Sequence, residues 1–352
     1  MRLGNKKIGV WVMVFALAAF VLSGCSGGTK ATGKSKELVV MSWGGDLEKA
    51  QREAWFKPFE KKYNVKIKEI QIVDYAKLKQ QVQQKNVQVD VVDSDWDFVP
   101  RGAAQGLLEP LDYKVIDKTG LDKRFVSKYA VPSEISTINI SYNTNKFSKT
   151  NHPDTWKDFW NVKKYPGKRA MYKYPLGTLE MALLADGVKK QDLYPLDVER
   201  ALKSLDKIKS HIIWWDTGAQ SVQLLQNGDA PLGAVWSGRV KAGQKQGMPL
   251  AFEKNEAVLN VDTWIVPKGA PNRELAMKFI NFVTQPKVMA DFAKIYPYAV
   301  GNTKAYKYLS EKEKANLVTT PEDINKQLLF NVKWWEKNYD KVNQRFIEWL
   351  NE

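Results

Sequence analysis

The sequence predicts an α/β fold in which helices cover a mainly parallel β-sheet. Short apolar runs of strand length alternate with helical patterns from residue 38 onward, and this alternation is typical of parallel sheets. The first run, at 38–41, ends in a turn that contains two glycines. The chain has 352 residues, of which 44% are hydrophobic, so it is long enough for two domains of ordinary size.

The first part of this pattern gives five elements in order. Residues 38–41 and 65–70 are predicted strands, the second because apolar and charged side chains alternate along it. Residues 50–63 and 75–84 are predicted helices, and residues 87–92 are a third strand. The first helix is indicated by apolar side chains at helical spacing: Ala50, Ala54, Trp55, Phe59 and Tyr63.

A targeting segment precedes these elements. A basic start is followed by an apolar run at 8–22 and then by Leu22-Ser23-Gly24-Cys25, which is the order found in secretory signals. The ending resembles the lipobox of bacterial lipoproteins, whose cysteine is acylated after cleavage. The apolar run is shorter than the roughly 20 residues that a membrane-spanning helix needs. We therefore predict a signal peptide at 1–24 and a lipidated Cys25 that anchors the protein outside the cell membrane.

Residues 25–36 are the predicted stalk, because after Cys25 they consist mainly of Gly, Ser, Thr and Lys. Cys25 is the only cysteine, so a lipidated chain has no thiol left and must be stable without disulfides. The formal charge of +15 falls to about +12 without the three basic residues of the signal. Lys and Arg are spread along the chain, which argues against nucleic acid as a partner and favours an anionic membrane or wall surface together with ordinary solubilising charge.

Two segments at predicted strand ends indicate a binding site. Trp43 follows the first strand beside two glycines, and Trp96 follows the third strand among small and acidic residues. Ligands of open α/β sheets bind beyond the carboxyl ends of the strands. We therefore expect one pocket to be lined by both segments, through Trp43, Ser94, Asp95 and Trp96.

Four stretches carry a resemblance to a known family. They are Val89-Asp90-Val91-Val92-Asp93-Ser94-Asp95-Trp96 with Gly106-Leu107-Leu108-Glu109-Pro110-Leu111-Asp112; Ile138-Asn139-Ile140-Ser141-Tyr142-Asn143 with Trp156-Lys157-Asp158-Phe159-Trp160; Gly233-Ala234-Val235-Trp236-Ser237-Gly238-Arg239 with Val261-Asp262-Thr263-Trp264-Ile265-Val266-Pro267; and Ala276-Met277-Lys278-Phe279-Ile280-Asn281-Phe282. In this order they resemble the extracellular solute-binding proteins of ABC importers, in particular the spermidine/putrescine-binding branch.

The resemblance implies the two-lobed periplasmic-binding-protein fold, in which crossing strands join two α/β lobes and a small molecule binds in the cleft between them. Lobe one would hold 37–137 and 263–310, and lobe two would hold 138–262 and 311–352. Ligand binding would close the lobes by shifting the population toward the closed state. The protein would act as a monomer without a cofactor and would deliver its ligand to an ABC permease.

The predicted pocket combines aromatic rings with charges of both signs. Trp43, Trp96 and Trp236 offer ring faces for an ammonium group, and Asp262 offers a carboxylate for its N–H groups. Arg239 is the unexpected member, because a guanidinium binds carboxylates and repels cations. Arg239 and Asp262 together suit a zwitterion such as 4-aminobutyrate, whereas the polyamine branch suggests putrescine or spermidine. A surface or hinge ion pair is the other interpretation of Arg239.

Two departures from the polyamine pattern favour the zwitterion. Tyr174-Pro175-Leu176-Gly177 stands where similar polyamine binders have an acidic pair, and Asn260 stands where they have an aromatic residue. Relatives that share the Trp-x-Gly-Arg and Asp-Thr-Trp stretches resemble binders of 4-aminobutyrate-type ligands. Both ligand classes stay open at this point.

Two further classes of function also stay open. Asp93 and Asp95 could act as the acid and base of a secreted hydrolase, although no catalytic motif accompanies them. The chain could also be a surface lipoprotein without a transport role. The only histidines are His152 and His211, so no metal site is expected. Seven tryptophans are predicted to pack in the interior: Trp156, Trp160, Trp214, Trp215, Trp334, Trp335 and Trp349.

Overall fold

The computed structural model describes residues 36–352, so the predicted signal peptide, Cys25 and nearly all of the predicted stalk lie outside the described residues. The strands are β1 (Lys36–Ser42), β2 (Val65–Gln71), β3 (Val91–Asp95), β4 (Ala130–Asn143), β5 (Arg169–Tyr172), β6 (Ile212–Trp215), β7 (Leu232–Trp236), β8 (Leu250–Phe252), β9 (Val258–Ile265) and β10 (Ala299–Val300).

The helices of the same part of the chain are α1 (Gly45–Gln51), α2 (Lys57–Tyr63), α3 (Tyr75–Gln83), α4 (Phe98–Ala104), α5 (Trp156–Trp160), α6 (Pro175–Ala185), α7 (Val198–Asp206), α8 (Gly218–Asn227), α9 (Ser237–Lys245), α10 (Arg273–Val283), α11 (Pro286–Ile295), α12 (Glu311–Asn316), α13 (Pro321–Lys326) and α14 (Val332–Asn351). A π-helical turn, Arg52–Phe56, joins α1 to α2. Short 3-10 turns are Lys123–Phe125, Lys190–Asp192, Lys209–His211 and Thr303–Tyr308.

The strands form one mixed sheet in the order β2-β1-β3-β9-β4-β7-β5-β6, with β8 and β10 paired to β4. The outer pairs are parallel, which agrees with the strand and helix alternation. The pairs that involve β4 or β9 are antiparallel, so the expectation of a mainly parallel sheet was wrong for its centre. The reason is that β4 and β9 run in opposite directions between the two halves of the sheet, as crossing strands do.

Each half of the sheet is covered on both faces by its own apolar clusters. In the first half, Leu38 and Val40 of β1 face the cluster with α1, α2, α10 and α11, while Met41 faces a smaller cluster with Phe98. In the second half, Met171 of β5 faces the cluster with α5, α6, α7 and α14, and its neighbour Ala170 faces the other side. Side chains of a strand alternate between faces, so each half is a three-layer α/β unit. The two-lobed α/β fold is confirmed, and the predicted lobe boundaries stay a prediction.

The element boundaries differ from the predictions mainly around β3. This strand begins at Val91, later than expected, because the Asp90 side chain accepts a hydrogen bond from Val39 N (2.8 Å) just before the ladder starts. It also extends to Asp95, which was predicted to lie in a loop, because residues 92–95 pair with β9. The first crossing strand, β4, starts at Ala130, well before Ile138, the first residue of the stretch that carries the family resemblance.

The seven tryptophans predicted to pack do so. Five are buried, and Trp214 and Trp334 are partly buried against the cluster around α14. Among residues 36–352, no helix has the length and apolar content needed to cross a bilayer.

Candidate functional site

A cavity lies where the ends of β1, β3 and β7 meet the two crossing strands. The empty space among its lining residues is about 300 Å³ when the part open to solvent is included, and the enclosed part has room for only about one water molecule. Nine residues line it: Trp43, Leu47, Asp95, Ser136, Trp236, Arg239, Asn260, Asp262 and Tyr298. They come from both halves of the sheet, so the cavity has the position expected for a cleft between two lobes.

Arg239 is held at the cavity by the first turn of α9. It is 8% exposed, and its Nη2 donates to the Gly44 carbonyl oxygen at 3.3 Å. Two glycines leave room for the guanidinium: a Cβ on Gly45 would lie 2.8 Å from Nη1, and one on Gly218 would lie 2.6 Å from Nε. Arg239 is therefore a buried cation in the cavity, and the alternative of a surface ion pair was wrong.

Trp43 and Trp236 bring two indole rings to the same cavity. Trp236 packs edge-on against Trp215, with ring centroids 4.9 Å apart, and tilts against Tyr172 at 5.2 Å. The Nε1 atoms of Trp43 and Trp236 are buried without a hydrogen-bond partner. Leaving a buried donor unpaired costs about 1 to 3 kcal/mol, so an acceptor that reaches either N–H group on ligand binding would be favoured.

Asp95 and Asp262 supply the acidic side of the cavity. Asp262 is 4% exposed, and burial together with the nearby carboxyls of Asp93 and Glu134 raises its pKa well above the usual range. The Trp43 indole lies close enough to favour the ionised form of Asp262, although it makes no hydrogen bond of normal geometry. Burial and the charge of Asp97 raise the pKa of Asp95 to about 8, while Tyr75 donates to Asp95 Oδ2 at 2.9 Å.

A second pair of carboxyls, Asp93 and Glu134, lies behind the cavity wall and is fully buried. Gln51 Nε2 donates to both of them, at 2.7 Å to Asp93 Oδ2 and 2.8 Å to Glu134 Oε1. Ser133 donates to Asp93 Oδ1 at 2.9 Å. Burial raises the pKa of Asp93 to about 6, and burial with the charge of Asp93 raises the pKa of Glu134 well above its usual range. Since Asp93 does not line the cavity, an acid and base pair of Asp93 and Asp95 acting on one ligand has no support.

Two of the predicted site residues lie elsewhere. Ser94 is fully buried, and its Oγ donates to the Thr263 carbonyl oxygen at 3.3 Å, which holds β3 to β9. Trp96 lies beside a neighbouring cavity under the segment that precedes α14, and its ring packs edge-on against Phe125 at 5.8 Å. Their roles in ligand binding stay predictions.

Four lining residues were not predicted: Leu47, Ser136, Asn260 and Tyr298. Asn260 had been noticed only as the replacement of an aromatic residue. A Cβ on Gly238 would lie 2.0 Å from the ring of Tyr298, so this glycine lets α9 approach the tyrosine. The glycine of the Trp-Ser-Gly-Arg stretch at 236–239 is compatible with a close approach by another segment. The residue that approaches it, Tyr298, is far away in the sequence, so the sequence alone did not identify it.

A two-lobed α/β fold with a small polar and aromatic cavity between its halves defines a solute-binding protein. The chain belongs to the bacterial extracellular solute-binding protein family, whose model matches residues 54–320. It is 35% identical over 338 residues to the gamma-aminobutyric acid-binding protein of Pseudomonas aeruginosa, covering 93% of this chain and 95% of that one. It is 27% identical over 248 residues to the spermidine/putrescine-binding periplasmic protein 1 of Haemophilus influenzae, covering 68% of each chain.

Solved structures give the same grouping. The Atu4243–GABA receptor is 39% identical, with a TM-score of 0.81 over 90% of this chain and 98% of that one. The binding protein AgtB of A. tumefaciens in complex with agropinic acid is 33% identical, with a TM-score of 0.84 over 90% of this chain and 99% of that one. The predicted membership among the substrate-binding proteins of ABC transporters is confirmed.

Proposed function

We propose that this protein is the extracellular receptor of an ABC importer for a short ω-amino acid such as 4-aminobutyrate. The observation that carries the proposal is that a buried arginine, Arg239, and a buried aspartate, Asp262, line one small cavity together with two tryptophans. Such a cavity complements a ligand that carries a carboxylate and an ammonium at opposite ends of a short apolar chain.

The carboxylate end would bind at Arg239. This guanidinium lies in the first turn of α9 and beside Gly218, the first residue of α8. Helix N-termini carry a partial positive charge, so a buried arginine at this position is electrostatically unfavourable unless an anion binds there. The unpaired indole N–H group of Trp236 would be a further donor for carboxylate oxygens, while the Trp43 indole lies beside Asp262.

The ammonium end would bind at Asp262 and Asp95. Charge-assisted hydrogen bonds from an ammonium to carboxylates are roughly twice as strong as those between neutral groups. The rings of Trp43, Trp236 and Tyr298 would cover the methylene groups between the two charges. The binding properties named for similar proteins, 4-aminobutyrate for the Pseudomonas relative and for the Atu4243 receptor, support this assignment.

A diamine such as putrescine is the second candidate, because two carboxyls, Asp95 and Asp262, line the cavity. Four-carbon diamines would satisfy both of them, but the second ammonium would have to avoid Arg239. The Haemophilus relative is named for spermidine and putrescine, which supports a diamine as the second candidate ligand.

The remaining predictions complete the proposed role. A lipidated Cys25 would tether the mature chain to the membrane as a monomer beside its permease, with no enzymatic activity. Replacement of Cys25 by Ser should then leave the precursor uncleaved or release the protein into the medium, as measured by mass spectrometry of membrane and medium fractions. A variant that is processed and membrane-bound like the wild type would contradict the lipid anchor.

The ligand is tested by calorimetry on the purified mature protein with four matched probes: 4-aminobutyrate, putrescine, butyrate and butylamine. We expect 4-aminobutyrate to bind and butyrate and butylamine to bind much more weakly, because each leaves one buried charge of the cavity unpaired at a cost of about 2 to 5 kcal/mol. Binding of putrescine without binding of 4-aminobutyrate would replace the zwitterion by the diamine. If none of the four bound, the proposed ligand class would be wrong.

A further inference from the structure

The two acidic residues of the cavity face each other across a pair of strands. β3 and β9 are antiparallel, and their register places Asp95 directly opposite Asp262. The Cβ atoms of directly opposed residues in such a pair are roughly 4.5 to 5.5 Å apart, and like charges in this arrangement repel. Both residues line the cavity, so an incoming ligand meets the two carboxyls together.

The cations nearest to this pair are engaged elsewhere. Arg239 donates to the Gly44 carbonyl oxygen, and Arg101 forms its ion pair with Asp97 at 2.8 Å. Among residues 36–352, no ion pair joins Asp95 or Asp262 to a lysine or an arginine. Other titratable or charged groups also face the pair from the elements packed against it. They are Tyr75 of α3, Asp93 of β3, Asp97 and Arg101 at α4, Glu134 of β4, Tyr172 of β5, Tyr174, Arg239 of α9, and Tyr298.

Most of these neighbours increase the cost of two negative charges. Asp93 is fully buried on the far side of the wall beside Glu134, and its charge is the largest one that acts on Asp262. Burial and Asp97 act in the same direction on Asp95 and raise its pKa to about 8. Two negative charges on these opposed carboxyls are therefore unfavourable in the empty cavity at neutral pH.

We propose that the opposed carboxyls of Asp95 and Asp262 share one proton while the cavity is empty, and that a bound ammonium group replaces this proton. The inference rests on the proposed function, because it requires a ligand that carries an ammonium group. Asp95 then has a defined part in recognition: it supplies the second carboxylate that makes the site selective for a cation with several N–H donors.

The exchange is balanced. On binding, the O–H bond of the protonated carboxyl breaks and its proton passes to the solvent buffer. Two carboxylates then accept hydrogen bonds from the ammonium, so the charge of the filled site equals that of the empty one. An ammonium carries three N–H donors and can bridge both carboxylates, whereas the proton that it replaces bridges only one pair of oxygens. Acidification must weaken binding, by up to about tenfold per pH unit, because protons and ligand compete for one place.

Glu134 provides the matched control. It is fully buried, lies outside the cavity and has a strongly raised pKa, so it holds its own proton and gains no access to the ligand. Replacement of Glu134 by Gln imitates this protonated state and keeps an oxygen that can accept from Gln51. Replacement of Asp95 by Asn instead removes one member of the pair that shares the exchanged proton.

The test is calorimetry of 4-aminobutyrate and of putrescine with the purified mature protein, in buffers that differ in ionisation enthalpy. We expect release of about one proton per ligand by the wild type and by Glu134→Gln, and a smaller release by Asp95→Asn, in which only burial and the other neighbouring carboxyls still raise the pKa of Asp262. Tight binding without proton release by the wild type would overturn the exchange while leaving the proposed function in place.

A second measurement does not need a ligand. Carbon-13 NMR of protein labelled at its aspartate carboxyl carbons reports the protonation of Asp95 and Asp262 in the empty protein, with Asp95→Asn and Asp262→Asn as assignments. We expect one protonated carboxyl in the pair at neutral pH and none in a state saturated with an ammonium ligand. If neither probe binds, the proposed ligand class fails; if both carboxyls are ionised in the empty protein, the exchange fails whatever the ligand is.

Discussion

The guanidinium carbon of Arg101 lies 3.5 Å from the centroid of the Tyr339 ring. Arg101 belongs to α4, which packs with the first half of the sheet, and Tyr339 belongs to α14, which packs on the second half. Arg101 Nη2 also contacts Tyr174 Oη at 3.3 Å and pairs with Asp97 at 2.8 Å. A buried cation thus joins the two halves outside the ligand cavity.

The first prediction is that this contact stabilises the closed form. Tyr339→Leu should remove a cation–π interaction worth about 0.5 to 2 kcal/mol, weaken ligand binding up to roughly thirtyfold and increase the radius of gyration in small-angle X-ray scattering. Tyr339→Phe keeps the ring and serves as the control. Equal affinities and radii for the two variants would mean that the ring does not act on closure.

The second prediction concerns the two charges of the proposed ligand site. Arg239→Ala and Asp262→Ala should each weaken binding of 4-aminobutyrate by at least about thirtyfold, because loss of one partner of a buried pair costs about 2 to 5 kcal/mol. Calorimetry measures both. A diamine receptor would respond differently: Arg239→Ala would leave putrescine binding unchanged or tighter, because a guanidinium only repels a diamine.

The third prediction concerns the buried Glu180, which joins the start of its own helix to two other segments of the chain. It accepts hydrogen bonds from Gly177 N (2.8 Å), Tyr194 Oη (2.5 Å) and Trp335 Nε1 (2.8 Å). Tyr194→Phe removes one donor and should lower the free energy of unfolding by about 1 to 3 kcal/mol in urea titrations. Tyr308→Phe is the control, since Tyr308 is 51% exposed. Equal losses in both variants would argue against a structural role for this network.

The fourth prediction is a pH dependence of stability in the ligand-free protein. The pKa values of Asp93 (about 6) and Asp95 (about 8) are raised in the folded state, so between roughly pH 4 and 8 the folded chain binds more protons than the unfolded chain. The stability that these groups contribute is complete below their unfolded pKa and is lost as the pH rises through 6 and 8. We expect the free energy of unfolding to fall from pH 5 to pH 8 by on the order of 1 to 3 kcal/mol.

Urea titrations at the two pH values measure this change. Glu134→Gln should reduce the difference, because burial raises the pKa of Glu134 as well. Asp291→Asn should keep the full difference, since Asp291 lies on the surface of α11 between Lys287 and Lys294 and has a lowered pKa. Stability that rises from pH 5 to pH 8 would show that the carboxyls near the cavity are ionised in the folded state.

Much of the site was predictable because its residues follow strand ends. Trp43 comes directly after β1, Trp236 ends β7 and Arg239 lies in the next helical turn. Local sequence patterns were therefore enough to identify these three residues as candidates for the site. Ser94 and Trp96 satisfied the same local rule but lie outside the cavity. Side chains alternate between the two faces of β3, so Ser94 lies on the opposite face from Asp95. Which of these side chains reaches the cavity therefore depends on how far the strand continues.

The sequence by itself determined the α/β class, the apolar faces of the strands and helices, and the aromatic and charged residues at the ends of β1 and β7, because these depend on local periodicity and on turns of a few residues. Only the tertiary structure decided the antiparallel centre of the sheet, the opposition of Asp95 and Asp262, the approach of Tyr298 to Gly238, and the burial of Arg239 between Gly45 and Gly218. Each of these relationships joins segments that are far apart in the chain, and their register and distance follow from how the two halves pack along β4 and β9.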